Sequence, residues 1–277
     1  AYLKAHPDAA SIWLNFSYDA ADRRDYPRAI ADVDAYLTFR PSDASAKQQR
    51  AFYVNSLYGG PRYQAYGDVQ YEQRFDDVFF ELDQTYALAP ARRIQPYLAL
   101  HLTEDTNSGA PGTPQIFSDD VVVAGVGLRS HFGPNVSAFA EGGAGIGLRG
   151  QGTTGDVRYG VDYFQSWSRP HGAHTDVGLS AAVYSRYSGN LISYYDVLHD
   201  FGGKRLQPIV GINGGLDSRN VFGNSYVEGF AGVQTGTDAL SFRLMEVGGT
   251  YLTRGVKTST KLQYTTLRGM LIFGVSK

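Results

Sequence analysis

The chain has 277 residues, with 25 Lys and Arg against 27 Asp and Glu and a formal net charge of −2, so no long-range field draws it to nucleic acid. Cys is absent and Met and Trp number 2 each, whereas Gly reaches 33 and Tyr 20; glycines for turns and curved strands, with aromatic faces for pleated surfaces, suit a many-stranded β protein. No unbroken apolar run approaches the roughly 18 residues of a transmembrane helix, which excludes helical spans but not a barrel that crosses with short alternating strands.

The chain opens on Ala1-Tyr2-Leu3-Lys4, in a helical pattern and without a cleavable leader, and is expected to be a piece or mature portion of something longer. Residues 1–58 are rich in Ala, Asp and Arg, and their apolar positions (Trp13, Phe16, Ala20, then Ala29, Val33, Tyr36) follow helical spacing. Pro7 and Pro41 stand 41 − 7 = 34 positions apart, the period of a tetratricopeptide repeat. With Pro41 as the closing proline, Trp13 takes the aromatic position of the first helix and Ala29 the small position where helices cross. Asp25-Tyr26-Pro27 then starts the second helix, with proline tolerated in its first turn. The segment resembles tetratricopeptide-repeat proteins over about one and a half repeats: a complete one at 8–41 and a further helix at 43–57. Ser17 and Tyr36 depart from the glycine and alanine usual at their positions. So short an array cannot bury a core alone and needs neighbours. An ordinary helical hairpin is the competing reading.

After Gly59-Gly60-Pro61 the period changes to two. In 94–103 Pro96, Leu98, Leu100 and Leu102 share one face, and Gln95, Tyr97, Ala99 and His101 the other. In 120–131 Val122, Ala124, Val126 and Leu128 oppose Gly125, Gly127, Arg129 and His131. In 156–167 Val157, Tyr159, Val161 and Tyr163 oppose Asp156, Arg158, Gly160 and Asp162. Segments of this kind run at 62–73, 76–88, 94–104, 119–131, 135–149, 156–168, 174–187, 190–201, 205–219, 225–235, 239–253 and 263–276. The even count, lengths near the nine to eleven residues of a tilted membrane strand, and ionisable residues in mid-strand predict a transmembrane antiparallel β-barrel of about 12 strands over 59–277, preceded by a helical domain at 1–58. A soluble sandwich is the competing fold, since it also alternates. Tyr159, Tyr163, Tyr187, Tyr194 and Tyr195 are expected in an interfacial aromatic girdle. Turns 132–135 and 187–190 are read as short ones, and 104–118 and 149–156 as longer extracellular loops.

Helical repeats that lead into a C-terminal barrel resemble the outer-membrane exporters of cellulose, poly-N-acetylglucosamine and Pel. The stretch from Tyr66-Gly67-Asp68-Val69 to Phe79-Phe80-Glu81-Leu82 is similar to the barrel start of the phage-adsorption protein A family. The resemblance implies a bacterial outer-membrane location, with lipid and lipopolysaccharide around the barrel and the repeats in the periplasm. It further implies an exopolysaccharide chain as cargo and synthase components of the periplasm or inner membrane docked on the repeats. The face pattern marks Tyr97, Arg129, Glu141, Arg158 and Asp162, then Asp176, Tyr184, Arg186 and Asp217, as the lining of the polymer path. These charges, with Arg149, Arg268, Glu81 and Asp83 also expected inward and Glu228 and Arg243 on the polar face, either line a passage or pair with one another and plug the barrel. Loops 104–118 (with Gly109-Ala110-Pro111-Gly112) and 168–174 are candidate gates.

Catalytic and cofactor chemistry finds no constellation. Gly142-Gly143-Ala144-Gly145-Ile146-Gly147 sits inside a strand pattern with no helix after it, unlike a nucleotide loop. His171 and His174 flank a turn and do not make a metal set; Ser130 and His131 are adjacent and point to opposite faces, which argues against a barrel hydrolase. No cofactor and no enzymatic activity are expected. A non-conducting surface anchor or receptor, used for example by phage, is the alternative to a conduit.

Overall fold

The computed structural model describes residues 10–59, 61–89, 92–106, 120–133, 135–150, 152–168, 172–203, 205–218, 225–237, 239–252 and 262–276. Pro7, His171, and the proposed gates beyond residue 106 and across 169–171 lie outside the described residues. The chain forms two compact units, residues 1–60 with 89–95, and residues 61–88 with 96–277.

The first unit holds α1 (Ser11–Asp22), α2 (Tyr26–Phe39) and α3 (Ala44–Tyr58). Asp25 caps α2 by accepting from the Arg28 N–H, with a proline in the first turn, and Asp43 caps α3 through the Ala46 N–H. Ala20, Ala29, Val33, Tyr36, Ala46 and Tyr53 form one buried cluster, against which Trp13 and Tyr26 pack. Ala29 and Val33 are fully buried, so the small side chain at the helix crossing is where the sequence spacing puts it. Ser17, also fully buried, turns its hydroxyl back onto the Leu14 carbonyl.

The second unit is a closed antiparallel barrel in which β1 pairs with both β2 and β12, and every strand pairs with its sequence neighbours. Its strands are β1 (Tyr63–Glu72), β2 (Asp77–Ala87), β3 (Ile94–Asp105), β4 (Val121–His131), β5 (Val136–Gly147), β6 (Thr153–Ser168), β7 (His174–Tyr184), β8 (Asn190–Asp200), β9 (Gln207–Asp217), β10 (Tyr226–Thr237), β11 (Leu240–Tyr251) and β12 (Gln263–Ser276). These reproduce the expected segments, with two differences. β6 starts earlier than the pattern suggested, and β7 ends at Tyr184, after which Ser185–Tyr187 make a 3-10 turn. Closure leaves no strand edge without partners, as a lipid setting requires.

Alternation puts Leu98, Val126, Val161, Leu179, Val210 and Ile212 on the outer face, where Val126 keeps 63% and Ile212 52% of its surface exposed. On the opposite face Asp68, Glu72, Glu141, Glu228 and Arg268 are charged and mostly covered, beside a buried apolar patch of Leu198, Ile209, Met245 and Val247. Apolar outside and polar inside is the inverse of a soluble fold and the signature of a transmembrane barrel. Odd-numbered strands end and even-numbered strands begin at one rim, here the loop rim; β1 begins and β12 ends at the other. The 185–189 turn therefore lies at the rim where β3 and β5 end and β4 and β6 begin, and does not alternate with the connections between those strands. The aromatic girdle is also only partly as expected, because Tyr187 and Tyr194 face the interior, and the parity of β8 puts Tyr195 outside beside Gly214.

Candidate functional site

The interior has two dissimilar walls. On β2–β6 the inward side chains form one connected ionic network. His101 lies between Asp83 and Glu141, with Nε2 2.8 Å from Glu141 Oε1, an arrangement that an imidazolium satisfies through both N–H groups. The Tyr97 hydroxyl donates to Glu141 Oε2 at 3.2 Å, and Arg158 pairs with Asp156 while its Nε stands 3.8 Å from Glu141 Oε1. Arg129 lies over the Tyr97 ring at 5.0 Å and Arg158 over Tyr184 at 5.4 Å. Gly127 is required here, because a Cβ at that position would run into the Tyr97 ring.

Four of the residues marked from sequence (Tyr97, Arg129, Glu141 and Arg158) thus meet on this wall, in contact with one another, and Tyr184 of β7 adjoins it beneath Arg158. Asp162 also points inward and accepts from the Ser180 hydroxyl at 2.8 Å. Arg186 is different. It lies in the 3-10 turn after β7, not in a strand, with its guanidinium 5.0 Å from the Tyr187 ring centre and Nη2 donating to the Tyr187 hydroxyl at 3.1 Å. The sequence pattern misplaced it because polar alternation runs on past Tyr184, and Ser188 and Gly189, which take positive φ, close the turn.

Against β1, β2 and β7–β12 the interior opens into a chamber of about 630 Å³, lined among others by Tyr66, Glu81, Tyr194, Asp196, Arg243 and Tyr264. Asp176 and Asp217 line it too, Asp176 with His174 Nε2 at 3.4 Å and Asp217 accepting from Asn190 Nδ2 at 2.6 Å. A second opening of about 520 Å³, at the rim where β1 begins, shares Tyr66 with the chamber and is bordered by Gln64, Asp83 and Arg129.

Toward the loop rim the chamber is bordered by a tight cluster. Arg268 donates through Nε to Glu72 Oε2 at 2.7 Å and through Nη1 and Nη2 to the Glu228 carboxylate at 2.8 and 2.9 Å. The Tyr264 hydroxyl donates to Glu228 Oε1 at 2.6 Å. The Arg74 guanidinium lies 3.5 Å from the Tyr264 ring centre and 4.1 Å from that of Phe75.

Of this chamber, alternation in the sequence marks the charges Glu81, Asp176, Asp217, Glu228, Arg243 and Arg268, but not Asp196 or the tyrosines. The signal was present in β1, where Tyr66, Asp68, Gln70 and Glu72 alternate with Gly67, Val69 and Tyr71, but closure of β1 on β12 decides what they face. Among the described residues no group of three His, Cys, Asp or Glu side chains is placed to hold a metal ion.

No family model and no curated protein matches the chain. Among solved structures it is similar to LpxR from Salmonella typhimurium, with a TM-score of 0.39 and 10% identity over 76% of this chain and 99% of that one. It is similar to the outer membrane channel DcaP of Acinetobacter baumannii, at 0.38 and 9% over 79% and 96%, and to the NanC porin, at 0.36 and 9% over 76% and 98%.

Proposed function

We propose that the chain is a bacterial outer-membrane conduit that passes an exopolysaccharide, with the helical segment a tetratricopeptide-type dock for periplasmic or inner-membrane synthesis components. The observation that carries the reading is the chamber. A space of about 630 Å³ runs inside the barrel from Tyr264 and Arg268 near the loop rim to Tyr66, which it shares with the opening at the other rim. Tyrosine faces and charges of both signs suit a hydroxyl-rich chain, which stacks on rings and exchanges hydrogen bonds without needing a single strong field. The lipid and lipopolysaccharide around it meet the exposed leucines, valines and isoleucines of the outer face.

The ionic network on β2–β6 favours a second reading, a barrel half filled by its own side chains that serves as a surface anchor or receptor. Uptake of graded oligosaccharides into proteoliposomes, with polymer secretion by cells lacking the barrel, separates the two. The conduit predicts uptake by the purified chain and loss of secretion in the cells. Proteoliposomes impermeable to disaccharides, together with normal secretion by barrel-less cells, would leave the receptor reading standing.

A further inference from the structure

The charges of the chamber do not cancel. Near the loop rim Glu72 and Glu228 are matched by Arg268 and Arg74. Deeper in, Asp83 has His101 and Asp176 has His174. Asp217 is held by Asn190. Asp68, Glu81 and Asp196 have no comparable ion pair: Arg243 acts on Asp68 and Asp196, while Glu81 shares a hydrogen bond with Asp83 beside His101. Arg243 spends its Nε on Gln234, at 2.6 Å.

Asp68 and Glu81 are direct partners across β1 and β2, a register that sets Cβ atoms roughly 5 Å apart and makes like charges repel. Asp68 keeps only 6% of its surface, and its Oδ1 has no hydrogen-bond partner among the described residues. It projects from the inner face between Tyr66 and Gln70, both of which line the chamber. Across the chamber Asp196 is the direct partner of Asn213, whose Oδ1 is likewise unpartnered. Tyr66 lies within electrostatic reach of Asp68, Glu81 and Asp196 together, so the two acidic patches face one space. The rings of Tyr194 and Tyr226 frame it, both packed on Gly215.

Buried acceptors without donors cost free energy until a donor arrives, and unmatched carboxylates call for positive charge. A metal ion would need three or more ligands converging, and no such group exists among the described residues. Aromatic faces beside carboxylates are the surroundings in which a nitrogen cation with several N–H donors is held, through cation–π contact and charge-assisted hydrogen bonds. We propose that the chamber holds a binding station for a small organic cation of the ammonium or guanidinium class, formed by Asp68, Glu81 and Asp196 with the rings of Tyr66 and Tyr194.

The station does not depend on polymer passage, and spermidine is a convenient probe. Titration calorimetry of the refolded full chain in detergent is expected to show saturable spermidine binding. Asp68→Asn and Glu81→Gln should each weaken it about tenfold, the loss of one charge-assisted contact. Glu246→Gln, which removes an equal charge from the exposed outer face, should leave it unchanged. Heat-shifted gel mobility shows which variants are folded, and a folded Asp196→Asn variant provides the same comparison should the others fail to assemble. In bilayers the open chain should pass potassium in preference to chloride, and spermidine should block it. A chain that never conducts but binds spermidine through Asp68 upholds the station while sinking the conduit. Absence of spermidine binding, or equal binding by all carboxylate variants and Glu246→Gln, overturns the station whatever the conductance.

Discussion

Replacing Arg268 by methionine removes a side chain that joins β1, β10 and β12 through charge. Arg268 makes three short charge-assisted bonds, one to Glu72 and two to Glu228. Solvent screens them little, because the side chains keep 9%, 2% and 3% of their surface. Methionine fills most of the arginine stem's volume, so the loss is electrostatic more than steric. Glu72 retains Arg74 at 3.5 Å, whereas Glu228 keeps only the Tyr264 hydroxyl and becomes an uncompensated buried carboxylate. Removing one partner of a buried pair costs about 3–5 kcal/mol. The destabilisation of Arg268→Met should fall in that range and should be carried mainly by Glu228. Adding Glu228→Gln should therefore restore at least about 2 kcal/mol, a coupling that a double-mutant cycle isolates. Urea unfolding in lipid vesicles measures both, with Trp167 on the outer face as the fluorescent reporter. A loss under about 1 kcal/mol for Arg268→Met, or no recovery with Glu228→Gln, would refute the argument that this cluster is buried and interdependent.

Arginine at Val210 or Leu100, on the outer face, should cost roughly 2–4 kcal/mol in vesicles if the site lies near the bilayer midplane, read from the same unfolding curves; tolerance of both would place that face in water. Gly143→Val drives a Cβ to within 2.6 Å of the Ala124 carbonyl oxygen and 3.0 Å of Gly125 Cα, so β4 and β5 must move apart; about 1–3 kcal/mol of overpacking strain should appear as a lower unfolding midpoint. In the helical unit the Tyr36 hydroxyl bonded to Asp43, together with the Ala46 N–H, holds that carboxyl below its ordinary value. A lowered carboxyl stabilises the fold above its unfolded value, near 4, and the contribution fades as pH drops through the lower folded value. Asp43→Asn should accordingly flatten the acid limb of helix loss followed by circular dichroism; an unchanged acid limb would remove Asp43 from the account.

How far the sequence carried the fold can be traced along single strands. In β4 and β5 the residues on each face are as alternation requires, because a lipid-facing surface and a charged interior impose opposite chemistry on neighbouring residues. The end of β7 was not legible in this way. Ser185-Arg186-Tyr187 continues the polar rhythm, and only the positive φ of Ser188 and Gly189 tells the strand to stop. Tyr194 illustrates a second limit. Tyrosine suits both an interfacial belt and a wet interior, so residue type alone does not choose between them, and the register of β8 against β9 does. The nine marked lining residues all came from strands with clear charge alternation, or from what looked like one. Asp176 and Asp217 of these nine, and Glu81 by the same alternation, do line the chamber, but that Tyr66 meets Tyr194 and Asp196 across the barrel is set by closure between β1 and β12 and carried by no local pattern.

The central claim is that the barrel interior conducts, and single-channel recording of the purified full chain in planar bilayers tests it most directly. Discrete, ohmic steps are expected, and they should become smaller when Gly215→Phe places a ring between Tyr194 and Tyr226, with spermidine-free solutions on both sides. A folded, bilayer-inserted chain that shows no steps, or steps indifferent to Gly215→Phe, would contradict it.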